Sequence, residues 1–501
     1  MTSSTNLGQL FDPAIDRGQL AFAGLDANLT ETASTYGELD DFANAVARGL
    51  KKRGYQQGDR IALLAANSVE FIAVLLGIMR AGLVAVPINY RFPKELIEIV
   101  ATDSGARLLF CDEERAASAP AGIERIGLAR TGTGSLSELI DPGPFDVFAP
   151  VANEAALILY TSGSTGRPKG VVLSHTAHLW TVQTRQEREP LTGEKVLIAA
   201  PLYHMNALAL AFLALASRAT TVLLWQFSAI PYIGAIDRYR CTWLTAVPPM
   251  IAMMLRERET LATADLSSVR VIRMGSAPVS DSLLAQISGL LPNARVMNAY
   301  GTTESGPVTF APHPDGRRTP PPALGTAHPK VQLRLRDQAG DIGDKGVLEI
   351  KSPALMNQYH NRPELTAAFT ADGYYVTGDV FHRNKDGFYS FVGRRDDMFV
   401  SGGENIYPGE VEAILEQHPA IAQACVVPVD DDIKGQKPVA FIVLRANTQP
   451  SEDDIKTYAL EHAPAYQHPR RVWFVDALPL ASTQKIDRSR LKMEAAARLP
   501  A

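Results

Sequence analysis

The chain has 501 residues, of which 46% are hydrophobic and 21% charged, and its formal net charge is −5. At that length two or more domains are expected, with the composition of a globular protein that folds in water. The negative balance argues against a general nucleic-acid binder, and Cys111, Cys241 and Cys425 lie too far apart for a zinc spacing or a disulfide framework, so a reducing, cytoplasmic setting is expected.

The N-terminus, "MTSSTNLGQLFDPAIDRG", lacks the basic-then-apolar order of a secretory leader. Helix and strand patterns then alternate. "YGELDDFANAVARGLKKRG" has apolar residues at helical spacing and ends at Gly54, and "DRIALLAA" reads as a strand. "SVEFIAVLLGIMRAG" and "LVAVPIN" repeat the pair, as does "ELIEIVATDSGARLLFC". This rhythm predicts βα units with parallel pairing. The apolar stretch Phe71 to Ile88 is interrupted by Arg80, and "ALALAFLALA" (Ala207 to Ala216) is too short to span a bilayer. Both read as core helices, and no membrane insertion is expected.

"AALILY" predicts a buried strand that delivers "YTSGSTGRPKG" (Tyr160 to Gly170) at its end, a usual place for a ligand loop. The loop is no Walker A motif, because Lys169 follows Pro168 and precedes Gly170. Its composition still suits an anion. Gly163 and Gly166 can turn N–H groups inward, Thr161, Ser162, Ser164 and Thr165 add hydroxyls, and Lys169 adds a charge. By itself the stretch fits either a phosphate loop or a surface turn.

Further on, "VLIAAP", "TTVLLW", "TWLTAVP", "VRVIRMG" and "ARVMNAYG" each close an apolar strand with a turn or polar residue, so several loops should meet at one sheet edge. From about Leu324 the texture changes to "VQLRLRD", "GVLEIKS", "GYYVTGDV" and "GFYSFVG", short strands between Asp/Gly turns. A domain boundary is expected near Arg395, followed by a compact tail with "EVEAILEQHP", "VAFIVL" and "RRVWFV".

Seven motifs stand in order: "YTSGSTGRPKG", "PLYHMNAL", "MGSAPVS", "NAYGTTES", "YVTGDV", "GRRDDMFVSGGENIYPGEVE" and "STQKIDRSRL". Over Tyr36 to Leu491 the chain thereby resembles the adenylate-forming superfamily of acyl- and aryl-CoA synthetases, amino-acid adenylation domains and luciferases. The resemblance implies an α/β fold. A large N-terminal domain (1–394) of stacked αβ layers with a β-rich subdomain would bind ATP and the acyl group. A small mobile α+β domain (395–501) would carry the catalytic lysine. It also implies two steps: a carboxylate attacks the α-phosphorus of ATP and expels pyrophosphate, then a thiol, most often that of coenzyme A, displaces AMP from the acyl carbon.

The resemblance assigns roles residue by residue. Thr161 to Gly166 and Lys169 would embrace the β- and γ-phosphates. Lys485 would bridge the substrate carboxylate and the α-phosphate, although Gln484 stands where many relatives have glycine. Thr302 and Thr303 would donate to the α-phosphate, and Glu304 would hold Mg²⁺. Tyr300 would stack on adenine, with Asn298, Ala299, Gly301 and the Ser276–Ala277–Pro278 backbone around the purine. Asp379 and Arg394 would take the ribose. His204 would gate the acyl pocket, to which Asn206, Ala207, Gly275, Ser276 and Gly301 contribute. Ser401, Gly402, Gly403 and Glu404 would line a pantetheine tunnel after rotation about Asp396.

The pocket residues are mostly small or apolar, so the acid should have an apolar body, with Asn206 and Ser276 available to a hydroxyl. Ser228 stands where amino-acid-activating relatives have an aspartate, which disfavours an amino-acid substrate. Aryl, short branched or hydroxylated, and fatty acids stay open, as do a carrier-protein thiol as acceptor and a homodimeric state.

Overall fold

The computed structural model describes residues 5–11, 15–162, 167–275, 279, 281–481 and 486–499. Among these, two seven-stranded sheets build the large domain. In the first, the strands Arg295–Ala299, Val271–Gly275, Trp243–Ala246, Lys195–Ile198 and Thr220–Leu224 run parallel, and Leu20–Leu25 joins parallel to the last of them. The second places Val84–Pro87, Arg60–Leu64, Ala106–Cys111 and Glu124–Gly127 in parallel register.

Helices lie between the sheets. Val69–Arg80 is buried along nearly its whole circumference and touches strands of both sheets, as a helix apolar all round must. Its serine cap, Ser68, accepts the Phe71 N–H. Met205–Ala216 is similarly enclosed. Arg80, the charge inside the apolar run, is buried with a partner for its charge: its guanidinium reaches Asp40 at 2.8 Å and donates to the Gly8 carbonyl at 2.8 Å. No helix among the described residues is long and apolar enough to cross a membrane.

The strand Ala155–Ser162 pairs antiparallel with Pro168–Ser174 as a hairpin, so that Thr161 faces Lys169. A short strand, Gln358–Tyr359, then adds antiparallel to the outer edge of that hairpin. The cause is in "RPKGVVLS", whose apolar run continues as a second buried strand.

The β-rich subdomain is an antiparallel sheet of Ile342–Gly343, Gln332–Arg336, Lys345–Lys351, Tyr375–Arg383 and Tyr389–Arg394. The small domain centres on the long hairpin Ile421–Asp431/Gly435–Leu444. Its two faces alternate in sequence. Val426, Ala440 and Ile442 pack on helices Pro408–Leu415 and Glu452–His462, while Cys425, Val427 and Phe441 pack on Arg488–Arg498.

Candidate active site

One cleft of about 2150 Å³ opens between the large domain, the β-rich sheet and the small domain. Its floor is the carboxyl edge of the first parallel sheet. Residues there follow the strand ends: Ala200, Pro201, Tyr203 and His204, Val247 to Met250, Gly275, and Ala299 to Glu304. This is where open parallel sheets place their ligands, because the strand ends leave N–H groups and variable loops facing one crevice.

Asp379 is set by a bulge. Between Val347 and Glu349 the register of the neighbouring strand shifts, and Gly378 adopts φ +75°, a left-handed conformation that favours glycine. Asp379 is only 4% exposed, yet it borders the cleft. Its carboxylate accepts the Tyr300 O–H at 2.5 Å and meets the Arg394 guanidinium at 3.3 Å, Arg394 being its register partner on the next strand. Burial, and then the Asp379 charge, push the Tyr300 phenol well above its ordinary value, so it stays a donor.

Thr302 to Gly306 form a tight turn. The Gly306 N–H donates to the Thr302 carbonyl at 2.9 Å, and the Ser305 N–H to the Thr302 hydroxyl at 3.1 Å. A Cβ on Gly301 would lie 2.5 Å from the Gly306 carbonyl oxygen, so that position needs glycine. Glu304 accepts the Tyr359 O–H at 2.9 Å, and the Lys169 ammonium sits 5.7 Å from the centre of the same ring. Tyr359 thus ties the hairpin to the turn; it lies in "MNQYHN", a stretch without a motif signal. Among the described residues no group of three His, Cys, Asp or Glu side chains could hold a metal. A single carboxylate such as Glu304 suits Mg²⁺, which takes most of its ligands from water and bound phosphates.

Most expected residues converge on this cleft. Thr161, Lys169, His204, Asn206, Gly275, Asn298, Ala299, Tyr300, Gly301, Thr302, Thr303, Glu304, Asp379, Arg394 and Asp396 all border it. His204 caps helix Met205–Ala216 and lies edge-on to Tyr203, with ring centres 4.5 Å apart. Ala207 does not reach the cleft: it is 0% exposed, turned into the core one helical step past Asn206. Ser228 is exposed outside the cleft, and Phe227 lines it instead. Ser401, Gly402, Gly403 and Glu404 form a hairpin turn away from the cleft, with the Gly402 N–H on the Lys434 carbonyl. Gly163, Ser164, Thr165, Gly166, Ser276, Ala277, Pro278 and Lys485 lie outside the described residues, as does the side chain of Ser162. The described neighbours of the 482–485 segment, Ala481 and Ile486, border the cleft.

Arg273 is a second residue beyond the sequence reading. It interrupts an apolar strand two places before Gly275, on the same face, and lines the cleft. A charge at a core position of "VRVIRMG" is the signal that marks it.

The chain is similar to known proteins over nearly its whole length. A model of the AMP-binding enzyme family matches residues 19–360, and one of the AMP-binding enzyme C-terminal domain matches 410–485. A feruloyl-CoA synthase of an Amycolatopsis species is 32% identical over 461 residues, covering 91% of this chain and 92% of the relative. A fatty acid–acyl-carrier-protein ligase of Streptomyces coeruleorubidus is 32% identical over 480 residues, covering 91% of each. The ATP-bound structure of MatB from Rhodopseudomonas palustris superposes with a TM-score of 0.88 at 28% identity, over 98% of this chain and 99% of that one.

Proposed function

Because the chain belongs to the AMP-binding enzyme family, with both its main and its C-terminal modules, we propose that it is an AMP-forming carboxylate–CoA ligase that runs two half-reactions in the one cleft. The observation that carries this reading is the arrangement along one wall. Asp379, Tyr300 and Arg394 stand at one end, Lys169, Tyr359 and Glu304 at the other, and the Thr302 turn lies between. A nucleoside triphosphate has that order of groups: ribose diol, α-phosphate, then pyrophosphate.

In the first step the acid's carboxylate oxygen bonds to the α-phosphorus as the bond to pyrophosphate breaks. Asp379 accepts from the ribose hydroxyls, because an ionised carboxylate is an acceptor only. Tyr300, held by that carboxylate, offers its ring to the base. Thr302 and Thr303 donate where charge builds on the α-phosphate, and Lys485 bridges both anions there. Glu304 is the residue to hold Mg²⁺, which, when bound, neutralises the leaving phosphates. The side chains lining the acyl end exclude water from the mixed anhydride.

In the second step a thiol adds to the acyl carbon and AMP leaves with the C–O bond pair, the thiol proton passing to solvent. We place the division of the chain at 394/395 and the hinge at Asp396, in the turn Arg395–Asp397. Rotation there would withdraw Lys485 and bring Ser401 to Glu404 to the cleft, with Gly402 and Gly403 leaving room for pantetheine. Ala481 and Ile486 at the cleft, with the glycine hairpin away from it, favour the adenylating arrangement. The similarity to a carrier-protein ligase keeps a protein-bound pantetheine as the second reading for the acceptor.

The test is AMP release with ATP, Mg²⁺ and a panel of aryl, short branched, hydroxy and fatty acids, each with and without CoA. Release that requires both one acid and CoA, with the thioester seen by mass, supports the reading. Adenylate that CoA cannot discharge replaces CoA with a carrier protein; no pyrophosphate exchange with any acid overturns it.

A further inference from the structure

Arg273 sits where three elements meet. It comes from the strand Val271–Gly275; Asn206 comes from the first turn of Met205–Ala216, and Arg185 from helix His175–Arg188. Arg273 is 6% exposed and Arg185 5%, so two guanidinium groups are buried behind the acyl end of the cleft. One carboxylate faces them. Glu189 lies 3.5 Å from Arg185, without a hydrogen bond on its Oε2. Burial lowers both arginines from their ordinary values, and their mutual repulsion lowers Arg185 further, to about 9. Among the described residues, two cations against the one anion Glu189 leave a net positive charge out of water, which is costly unless a further anion arrives.

The polar groups around Arg273 are arranged for such an arrival. Arg273 Nη1 donates to Asn206 Oδ1 at 3.4 Å, and Asn206 Nδ2 is buried with no hydrogen-bond partner among the described residues. Both residues border the cleft. What the site offers is therefore donors only: the remaining guanidinium N–H groups and the Asn206 amide. Donors in a fork match a planar carboxylate. Strand alternation sets Arg273 on the same face as Gly275, two residues or about 7 Å back from the strand's carboxyl end. Gly275 carries no side chain to shield it from the cleft.

Resting on the ligase reading above, we propose that the acid carries a second, ionised carboxylate, bound at the far end of the acyl pocket by Arg273 and Asn206. The substrate class is a dicarboxylic acid whose intervening body packs on Phe227, Val247 and Met250. Glu189 neutralises Arg185, and the bound carboxylate neutralises Arg273.

The experiment is ATP–pyrophosphate exchange by the full-length chain with matched acids: butanoate against succinate, hexanoate against adipate, benzoate against terephthalate. In at least one pair the wild type should favour the dicarboxylate at least about tenfold in kcat/KM, since sites built from buried donors reject analogues that leave them unpaired. Arg273→Met should lower kcat/KM for that dicarboxylate about 100-fold, mostly through KM, and reverse the preference, as loss of a charge-assisted fork requires. Arg273→Lys should retain part of the preference. AMP affinity, by calorimetry, should not change. Should Arg273→Met fail to fold, Asn206→Leu reads out the same ratio. Preference for the monoacid in every pair, or a ratio that either variant leaves unchanged, overturns the proposal while leaving the ligase reading intact. Absence of exchange with any acid, while AMP still binds, overturns both.

Discussion

Replacing Asp379 with asparagine would remove one negative charge and almost no volume from the nucleotide end of the cleft. The carboxylate is 4% exposed, and two of its acceptor sites are taken by Tyr300 at 2.5 Å and Arg394 at 3.3 Å. A ribose diol bound at this wall would donate to the same ionised carboxylate, which is an acceptor only. Hydrogen bonds to an ionised group contribute about 1.5–3 kcal/mol each, and bonds to a neutral amide oxygen about 1. An amide can accept on one atom only, so the variant should lose about 2–3 kcal/mol of nucleotide affinity, or about 30- to 150-fold. Arg394 has a side chain 48% exposed and can rehydrate, so the fold should be nearly unaffected, with Tm lowered by no more than about 3 °C. AMP binding by calorimetry measures the affinity without any acid, and pyrophosphate exchange at varied ATP should show the same factor in KM. An AMP Kd within about threefold of wild type would refute the ribose assignment.

Other outcomes are expected from the same geometry. Lys485→Ala should lose adenylation by at least about 100-fold yet form thioester from supplied acyl-adenylate at nearly the wild-type rate, and Asp396→Pro should do the reverse; equal losses in both half-reactions would sink the division of labour. Gly301→Ala would put a methyl 2.5 Å from the Gly306 carbonyl, so adenylation should fall about tenfold or more while the thermal melt of the small domain stays in place. Stability should weaken in mild acid. Burial pushes His175 and His178 from 6.5 down to about 4, and the Leu7 N–H donates to His175 Nδ1 at 3.0 Å, a bond that protonation breaks. Both rings are neutral in the native state but charged in the unfolded chain below about 6.5, so their contribution is full above that pH and is lost towards 4. Between pH 6 and 5 the pair should account for about 2 kcal/mol, visible in urea titrations and removed in a His175→Gln/His178→Gln variant.

Much of this was legible in the sequence because it is encoded in short stretches. Helix Tyr36–Lys52 carries its own capping box, Thr35 with Glu38, and the helix Lys94–Ser104 stops at Gly105 in a left-handed conformation. The strands before the cleft are apolar runs that end in polar turns, so their existence and the gathering of their loops follow from periodicity alone. "YVTGDV" and "NAYGTTES" specify bulge and turn through glycines that no other residue replaces without strain. Only the tertiary structure could decide what depends on partners distant in the chain. That the chain after "AALILY" returns beside it as a hairpin was settled by Pro168–Ser174 finding a place there and by Gln358–Tyr359 closing the edge. Tyr359 gains meaning only next to Glu304, 55 residues away. Ala207 and Asn206 are neighbours in sequence, but helical rotation sends one to the core and the other to the cleft. The charge of Arg273 reads as an interruption until folding sets it against Arg185, Asn206 and Glu189 in low dielectric, where an unmatched cation calls for an anion.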